Sequence, residues 1–340
     1  MNATTYAVDL ASQVFQVHGY DQRGQRAYAR RLKRDAFVRW CQQVPAGTCV
    51  RMEATGAAHH WGRALQARGV RVELLPPQHV KALLIGNKTD ANDTDAIYEA
   101  GLRPKVRAVT VKTVAQQALQ ACHRLREGRM RDRTRLVNQI RGMLAEFGLV
   151  LPRGAGQVRL QLPGILEDAG NELPDLMREL LAGCLADLER LHARIASLDR
   201  CLKAAAASSP DCQRMLQVEG IGTLTATAAL GPLADQRITR ARAFAASLGI
   251  TPREHSSGSQ RRLGHITKRG NSYLRTLLIH GARAALYAAR RKHDPRSRWM
   301  TALEQRLGTN KAAVAVANKN ARILWALMHH QQAYRRLKAA

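Results

Sequence analysis

The first third of the chain contains the stretch Asn87-Lys-Thr-Asp-Ala-Asn-Asp-Thr-Asp-Ala-Ile-Tyr-Glu99. Four acidic residues fall within ten positions here, although 54 Lys and Arg outnumber 26 Asp and Glu in the whole chain. Crowded carboxylates repel one another and need cations nearby. Surface lysines and divalent metal ions could both supply that charge.

The composition narrows the class of partner. The formal net charge of +28 and the pI of about 11.1 point to a polyanion. The basic residues are spread along the chain and form no juxtamembrane block, so nucleic acid is favoured over a membrane surface. Aromatic residues make up only 4% of the chain, which favours a helix-rich protein. A length of 340 residues is enough for two or three domains.

Three absences bear on localisation. Residues 1–5 carry no basic region followed by an apolar one, so no signal peptide is predicted. No apolar run approaches the roughly 18 residues of a transmembrane helix. The six cysteines show no C-x-x-C pair and no zinc-ligand spacing, and reduced core thiols are expected. These features predict a soluble, cytoplasmic protein with no membrane partner.

The N-terminal part alternates strand and helix patterns. We expect strands over 6–10, 14–19, 26–32, 48–53 and 71–75, and helices over 35–43 and 57–69. Three strands followed by strands that alternate with helices indicate a mixed α/β domain over residues 1–111.

Two acids stand on predicted strands, Asp9 inside the first and Glu53 at the end of the fourth. A lone buried carboxylate is costly, so each acid either faces solvent or serves a special purpose. Neighbouring strands lie about 4.8 Å apart, so two such acids can meet at one rim of a sheet. Helical spacing places Asp90 and Asp93 on one face. One pair of acids on this helix, together with Asp9 and Glu53, could hold two Mg²⁺ ions, the layout of the ribonuclease-H-like nucleases.

Asp95 and Glu99 form a second pair on the same helix. Asp95 is rotated by about 140° from Asp90, given 3.6 residues per turn. The pair that does not share the metal site would form a solvated face or contact Lys88.

Residues 112–207 are predicted to be helical. An Arg-rich helix extends over 113–148 with an interruption at Gly128, and the Gly- and Pro-containing residues 149–172 predict a connecting segment. The next helix repeats apolar residues at alternating steps of three and four, a coiled-coil pattern. These residues are Leu181, Cys184, Leu188, Leu191, Ile195, Leu198 and Leu202. They could pack on the Arg-rich helix of the same chain or on another subunit.

Residues 208–340 are predicted to form a helical C-terminal domain. Gly220 and Gly222 precede a helix of small residues, as in a helix–hairpin–helix whose turn amides hold a phosphate, and a tight packing turn is the alternative. Thr251-Pro-Arg-Glu-His-Ser-Ser-Gly-Ser259 predicts a mobile loop flanked by arginines. A serine there suits a nucleophile that attacks DNA, because guanidinium groups stabilise charge on phosphate. A phosphate-binding loop without a covalent role remains the alternative.

Together these stretches resemble the DEDD transposases of insertion-sequence family one-ten, most closely its eleven-eleven subgroup, which are relatives of the pilin-gene invertases. In the N-terminal part the resemblance is carried by Val8-Asp9-Leu10, Met52-Glu-Ala-Thr-Gly56, Pro76-Pro77 and Gly86-Asn-Lys-Thr-Asp-Ala-Asn-Asp93. Further on it is carried by His123-Arg124, Arg133-Thr134, Arg141-Gly142, Gly220-Ile-Gly222, Gly249-Ile-Thr-Pro252, Ser256-Ser-Gly258, Lys268-Arg-Gly270 and Ala317-Asn-Lys319. One departure is Thr89, which stands where the subgroup often has Asn.

The resemblance implies a RuvC-like N-terminal domain whose catalytic carboxylates bind two Mg²⁺ ions. Mn²⁺ is expected to substitute for Mg²⁺. These carboxylates are Asp9, Glu53, Asp90 and Asp93. It also implies a serine transposase domain at the C-terminus, in which Ser257, directly before glycine, is the nucleophile and Ser256 is the neighbouring alternative. A structured guide RNA, a homo-oligomer (dimer or tetramer) with sites shared between subunits, and association with the bacterial nucleoid are implied as well.

The sequence thus predicts an RNA-guided DNA transposase or recombinase that acts on element ends and target DNA. Two alternatives stay open, a RuvC-like Holliday-junction resolvase that uses water and a basic nucleic-acid-binding scaffold without activity. The predicted nucleic-acid contacts are Arg124, Arg133, Arg141, Gly220, Gly222, Arg253, Arg261, Arg262, Lys268, Arg269, Arg275 and Lys319.

Overall fold

The computed structural model describes residues 3–87, 89–235 and 238–335, which belong to two compact units. The first unit covers residues 1–117 and 231–239, and the second covers 118–230 and 240–340. Lys88, the expected partner of the second acidic pair, lies outside the described residues. The division into three parts at residues 111 and 207 stays a prediction.

The first unit is built on a five-stranded sheet. Its strands are β1 (Thr5–Leu10), β2 (Val14–Tyr20), β3 (Arg26–Lys33), β4 (Cys49–Glu53) and β5 (Arg71–Leu75). They lie in the order β3-β2-β1-β4-β5, with β1 antiparallel to β2 and parallel to β4. The sheet is therefore mixed, which confirms the predicted α/β class.

Four helices pack on this sheet: α1 (Arg34–Gln43), α2 (Ala58–Gln66), α3 (Pro77–Lys81) and α4 (Asp90–Leu102). Successive residues of β1 enter two different cores, because side chains on a strand alternate between its faces. Tyr6 and Val8 pack with buried residues of α1 and α2, whereas Ala7 packs with Ala96 and Ile97 of α4. These cores hold α4 on the face of the sheet opposite to α1 and α2.

The rest of the chain is helical apart from one short hairpin. Its elements are α5 (Val114–Glu146), α6 (Ala155–Glu167), α7 (Asp175–Ala207), α8 (Pro210–Leu216), α9 (Thr223–Leu233), α10 (Ala241–Ser247), β6 (Pro252–Glu254), β7 (Leu263–Ile266), α11 (Ser272–Ala289), α12 (Pro295–Leu307) and α13 (Thr309–His330). In the second unit α13 packs against α8, α10, α11 and α12.

Two predictions for this half are wrong, and a third is wrong in part. Helix α5 continues through Gly128, because one glycine in a helix costs only about 1 kcal/mol relative to alanine. Residues 149–172 contain α6 in spite of Pro163, since Val158 and Leu162 bury one face of it in a core shared with α5 and α7. The expected mobile loop at 251–259 begins with β6, which pairs with β7 in an antiparallel hairpin.

The alternating apolar row of α7 makes contacts within the chain. Leu181 and Leu188 belong to the core shared with α5 and α6. Farther along, Cys122 Sγ lies 3.8 Å from the carbonyl oxygen of Leu198, a contact between α5 and α7. The row thus packs against a helix of its own chain, and a contribution from a second subunit stays a prediction.

Two expectations from composition can be compared with the structure. None of the helices in the described ranges is long and apolar enough to cross a membrane. Cys41, Cys49 and Cys212 are buried but Cys201 is exposed, so the expectation of six core thiols holds only in part.

Candidate active site

The ends of the two central parallel strands bring two predicted acids together. Asp9 is the last residue but one of β1, and Glu53 ends β4. The parallel register pairs Val8 with Met52, both fully buried, so each acid stands one residue beyond this pair on neighbouring strands. The two carboxylates therefore meet at one rim of the sheet, as the strand spacing predicts.

The N-terminus of α4 contributes two more acids. The Thr89 side chain caps the helix by accepting a hydrogen bond from the Asn92 amide at 3.2 Å, and Asp90 and Asp93 stand in the first turn. Unpaired amides and the helix dipole favour negative charge at this end. Thr and Asn are both good N-cap residues, so Thr89 preserves the local geometry at a position where the subgroup often has Asn.

These four carboxylates line one cavity of about 710 Å³. The remainder of its wall comes from Pro77, Gln78, Val80, Lys81, Leu84 and Thr89. Lys81 brings a positive charge to an otherwise acidic wall. The sequence did not predict that Lys81 lines this cavity, because its place there depends on how α3 packs beside α4.

The oxygen donors of this cavity suit a hard divalent cation such as Mg²⁺. In the part of the chain that the structure describes, however, no three Asp, Glu, His or Cys side chains are gathered closely enough to hold a metal ion by themselves. Mg²⁺ commonly keeps several waters and takes one or two protein carboxylates together with substrate phosphates. The cavity thus offers suitable ligand chemistry without a preformed ligand cluster.

Asp95 and Glu99 are engaged by other protein side chains. Asp95 accepts a hydrogen bond from Tyr20 Oη at 2.5 Å, contacts His18 Nδ1 at 2.6 Å and pairs with Arg26 at 3.0 Å. Burial raises the pKa of Asp95, but the hydrogen bonds to Tyr20 and His18, with the charges of His18 and Arg26, outweigh this effect and lower the pKa. Glu99 lies 3.7 Å from the guanidinium of Arg103, the residue that follows α4. Neither acid lines the cavity.

The serine segment lies at the end of a hairpin whose base is tightly packed. Gly249 and Gly270 have φ of +68° and +83°. A Cβ on Gly249 would lie 2.2 Å from the carbonyl oxygen of Arg269, and one on Gly270 would lie 1.8 Å from that of Ser247. Only glycine permits this conformation and this close approach of backbones. The base is thereby fixed, whereas residues 252–265 are exposed.

The two candidate nucleophiles have different surroundings. Ser256 Oγ donates a hydrogen bond to Glu254 Oε1 at 2.8 Å and accepts one from the Arg262 amide at 3.2 Å. Ser257 closes a tight turn through two backbone hydrogen bonds with Gln260, at 3.3 and 3.1 Å. The motif match selects Ser257, whereas the contact with a carboxylate belongs to Ser256.

Some of the predicted nucleic-acid contacts also support the fold. Arg275 donates hydrogen bonds to the carbonyl oxygens of Leu248 and Arg269, and Arg141 donates to that of Leu151. Arg275, Arg141 and Arg133 are half-buried. Exposed basic side chains are found at Arg124, Arg253, Arg261, Arg262, Lys268, Arg269 and Lys319. The hairpin and its flanks therefore present a basic surface.

The turn between α8 and α9 contains the two glycines singled out from the sequence. Gly220 has φ +83°, and a Cβ there would lie 2.6 Å from the carbonyl oxygen of Gly281 in α11. Close packing therefore accounts for Gly220. Gly222 has open space at its Cβ position and directly precedes Thr223, the first residue of α9, so the phosphate-binding hypothesis rests on Gly222 alone.

Comparison with known protein families identifies the class of enzyme to which this mixed α/β fold and its acidic cavity belong. Residues 6–148 match the DEDD model of the IS110 group, described as "Transposase", and residues 212–298 match the model "Transposase IS116/IS110/IS902 family". The chain belongs to this family and is a transposase, an enzyme that acts on DNA.

Individual relatives are similar over nearly their whole length. A protein of Pseudomonas aeruginosa named "Probable family 20 transposase" is 47% identical over 337 residues, 98% of this chain and 99% of that protein. The transposase for insertion sequence element IS1111A of Coxiella burnetii is 43% identical, over 96% of this chain and 90% of its own. The transposase for IS1328 of Yersinia enterocolitica is 34% identical, over 95% and 96%. The family resemblance stated from the motifs is thus confirmed.

Proposed function

We propose that this transposase cuts and joins DNA strands at element ends and at a target by using the carboxylate cavity and the serine hairpin in one reaction. One observation carries the proposal: Asp9, Glu53, Asp90 and Asp93, from three separate elements, line a single cavity. Carboxylates that share one cavity repel one another, and a cation bound there would offset this repulsion. A nucleic-acid-binding scaffold would gain nothing from such an arrangement.

The cavity is the proposed site for Mg²⁺, with Mn²⁺ as a substitute. Its four carboxylates would supply oxygen ligands, two from the ends of β1 and β4 and two from the first turn of α4. Divalent cations bound there would neutralise charge on a phosphodiester and stabilise its in-line displacement. Two ions are proposed, because four carboxylates exceed the one or two that a single Mg²⁺ usually takes.

Ser257 is the proposed nucleophile. Its Oγ forms a bond to phosphorus while the bond from phosphorus to a deoxyribose oxygen breaks, so that a phosphoserine link and a free DNA hydroxyl result. The serine proton passes to a base, and the departing oxygen takes up a proton. Attack by a second DNA hydroxyl then releases the serine and joins the new strand. The exposed guanidinium groups of Arg253, Arg261 and Arg262 would stabilise the charge on the phosphate.

Ser256 is a second candidate because of one specific contact. Its hydroxyl already donates to the Glu254 carboxylate at 2.8 Å, and this carboxylate could accept the proton as the oxygen attacks. The chemistry of bond exchange would be the same, with the phosphate held one residue earlier in the hairpin.

A structured RNA and a second copy of the chain complete the proposal. A net charge of +28 is more than a short DNA contact requires, and the exposed Arg124 on the Arg-rich α5 suits an RNA backbone. A homo-oligomer, either a dimer or a tetramer, would let the carboxylates of one protomer act with the serine of another. Association with the bacterial nucleoid would follow from DNA binding.

Labelled element-end DNA tests the chemistry when it is incubated with the protein, Mg²⁺ and RNA transcribed from the element. We expect a protein–DNA adduct that resists denaturation, disappears in Ser257→Ala and persists in the matched control Ser256→Ala. The reverse pattern would assign the nucleophile to Ser256. DNA cleavage without any adduct would instead support a resolvase that uses water.

Three further arms test the partners. Strand exchange should require the RNA, and exchange that proceeds equally without it would contradict RNA guidance. A mixture of Asp93→Asn and Ser257→Ala proteins should regain activity if subunits share a site. Binding to nucleic acid should weaken steeply between about 50 and 200 mM salt, because each neutralised phosphate releases counterions.

A further inference from the structure

A second cavity, which the strand exchange proposed above does not use, lies in the second unit. It has a volume of about 590 Å³ and is bordered by the N-terminal half of α12, the middle of α13 and the segment that follows α13. Sites for small organic ligands typically measure about 300–1,000 Å³. The cavity is therefore large enough for one small molecule or one nucleotide.

Polar side chains at its floor neutralise one another. Arg296 donates hydrogen bonds to Tyr334 Oη and Asn320 Oδ1, and its Nε lies 3.1 Å from the Glu219 carboxylate. Among the described residues no acceptor lies in line with this Nε–H, so the contact with Glu219 is an ion pair without a hydrogen bond. Asn320 is fully buried and donates to the Glu219 carbonyl oxygen at 2.9 Å. The charges of the floor are thus arranged before a ligand enters.

The walls are partly apolar and the rim is basic. Trp299 and Ile323 contribute to the walls, and Trp299 leaves 39% of its surface exposed. Lys292, Lys319 and Arg335 also line the cavity, and all three side chains are exposed. An aromatic ring and exposed cationic side chains are therefore available to one ligand.

The balance of charge favours an anion. Asp294, one of two acidic lining residues, caps α12 by accepting hydrogen bonds from the Arg296 and Ser297 amides at 3.1 Å each. Glu219, the other, is paired with Arg296. Against these two acids stand four basic lining residues, so the cavity carries a net positive charge.

An anion with a flat apolar part fits this combination best. Inorganic phosphate would make no use of the Trp299 ring, and an acidic peptide offers no flat surface for it. A nucleotide uses both features, because its base stacks on an aromatic ring while its phosphates meet basic side chains. A base within a duplex is already stacked on its neighbours, so the fitting nucleotide is unpaired.

We propose that this cavity binds one unpaired nucleotide of a nucleic-acid strand, with the base against Trp299 and the flanking phosphates at Lys292 and Lys319. It would anchor a single-stranded segment independently of the cutting and joining steps. DNA and RNA strands share the required chemistry, and the experiment distinguishes them.

Fluorescence anisotropy of the full chain with labelled oligo(dT) and oligo(U) of about twelve nucleotides tests the cavity, in EDTA so that no strand is cut. Trp299→Ala is expected to weaken binding of at least one oligonucleotide about tenfold and to change binding of an equally long duplex less than about twofold. Tyr287→Ala is the matched control: this ring is 61% exposed, lies 5.7 and 5.8 Å from the guanidinium groups of Arg290 and Arg291, and is outside the cavity. It should leave binding unchanged.

A second matched pair uses two exposed lysines of α13. Lys319 lines the cavity and Lys311 does not. Lys319→Gln should reduce the salt dependence of single-strand binding by about one ion, and Lys311→Gln by less. Thermal unfolding of each variant verifies that it is folded.

The oligonucleotide that loses more affinity in Trp299→Ala identifies the bound strand. A larger loss for oligo(dT) indicates DNA, and a larger loss for oligo(U) indicates RNA. Equal effects of Trp299→Ala and Tyr287→Ala would overturn the proposal. Equal losses for single strand and duplex, or no binding of either oligonucleotide by the unaltered protein, would overturn it too.

Discussion

The carboxylate cavity of the first unit and the serine hairpin of the second are held in place by different means. Asp9 and Glu53 follow the fully buried Val8 and Met52 on central strands, and α4 is anchored by buried side chains such as Ile97. Residues 252–265 of the hairpin are exposed, and its closest packing is between backbones at its two basal glycines.

This difference reflects two kinds of chemistry. Metal ligands are positioned best by rigid elements, and a sheet and a helix packed on a common core provide such elements. A nucleophile on an exposed hairpin can adjust to the strand that it attacks, provided that the hairpin base is fixed. The cavity should therefore be sensitive to single side chains, and the hairpin to the fit of its backbone.

The largest effect is expected from Asp93→Asn. Removal of one charged oxygen ligand should slow DNA strand cleavage about a thousandfold or more, because a metal site contributes several kcal/mol to transition-state stabilisation. The matched control is Asp95→Asn, two residues further along α4, where the carboxylate is engaged by Tyr20 and His18. Single-turnover cleavage of labelled DNA should change less than about threefold in this control. Equal losses would remove the distinction between the two acidic pairs.

The two units should also differ in how acid affects their stability. His123 on α5 is buried, with hydrogen bonds of 3.0 Å to Tyr273 Oη and Thr227 Oγ1. Burial lowers the pKa of His123 to about 4, and the nearby charge of Arg126 adds to this effect. An unfolded histidine has a pKa of about 6.5, so the unfolded chain binds the proton first as the pH falls. The free energy of unfolding should drop by about 3 kcal/mol from pH 6.5 to 4.

The first unit should respond at lower pH. The pKa of Asp95 is lower in the folded chain than in the unfolded chain, where an Asp has a pKa of about 3.9. The ionised Asp95 therefore stabilises the fold at pH values above about 3.9, and this contribution is lost as the pH falls through the pKa of the folded state. Urea unfolding at several pH values, read by hydrogen exchange in each unit, measures both responses. His123→Gln should flatten the dependence between pH 7 and 5 in the second unit, and an unchanged slope would contradict this assignment.

The hairpin base should tolerate substitution less well than its tip. Gly270→Ala is expected to cost about 2 kcal/mol, because a Cβ would overlap the Ser247 carbonyl oxygen at a backbone φ of +83°. Gly258→Ala at the tip meets no atom within 4 Å and should cost about 1 kcal/mol for its φ of +58°. Urea unfolding compares the two, and equal costs would show that the base is not the fixed part.

The smallest effect is expected at the surface of the first unit. Arg26 and Asp95 are paired at 3.0 Å, but their side chains are 46% and 42% exposed. Arg26→Ala should therefore cost less than about 1 kcal/mol, as exposed ion pairs generally do. A cost above about 2 kcal/mol in urea unfolding would mean that Arg26 positions α4 more firmly than its exposure suggests.

The sheet and the acidic helix could be predicted because their signals are local. Strand β5 has the predicted bounds, and Thr89 stands where an N-cap residue should precede a helix. The partners of Asp95 could not be predicted in this way. His18 and Tyr20 lie on β2, more than 70 residues away, and meet Asp95 only after α4 packs on the sheet.

The errors in the second half have equally specific causes. Gly and Pro are enriched in loops, which obscured the helical spacing of Val158 and Leu162 in α6. Serine and glycine likewise suggested a loop where the hairpin stands. Glu254 and Ser256 are alternate residues of an extended segment, so their side chains fall on one side. Their contact could have been foreseen only if the strand itself had been recognised.

Mn²⁺ binding followed by electron paramagnetic resonance tests most directly whether the four carboxylates of the cavity hold a divalent metal. We expect the unaltered protein and Asp95→Asn to bind Mn²⁺ equally well, and Asp9→Asn and Asp93→Asn to bind it at least about tenfold more weakly. Equal Mn²⁺ binding by all four proteins, or a loss confined to Asp95→Asn, would contradict the assignment of the metal to this cavity.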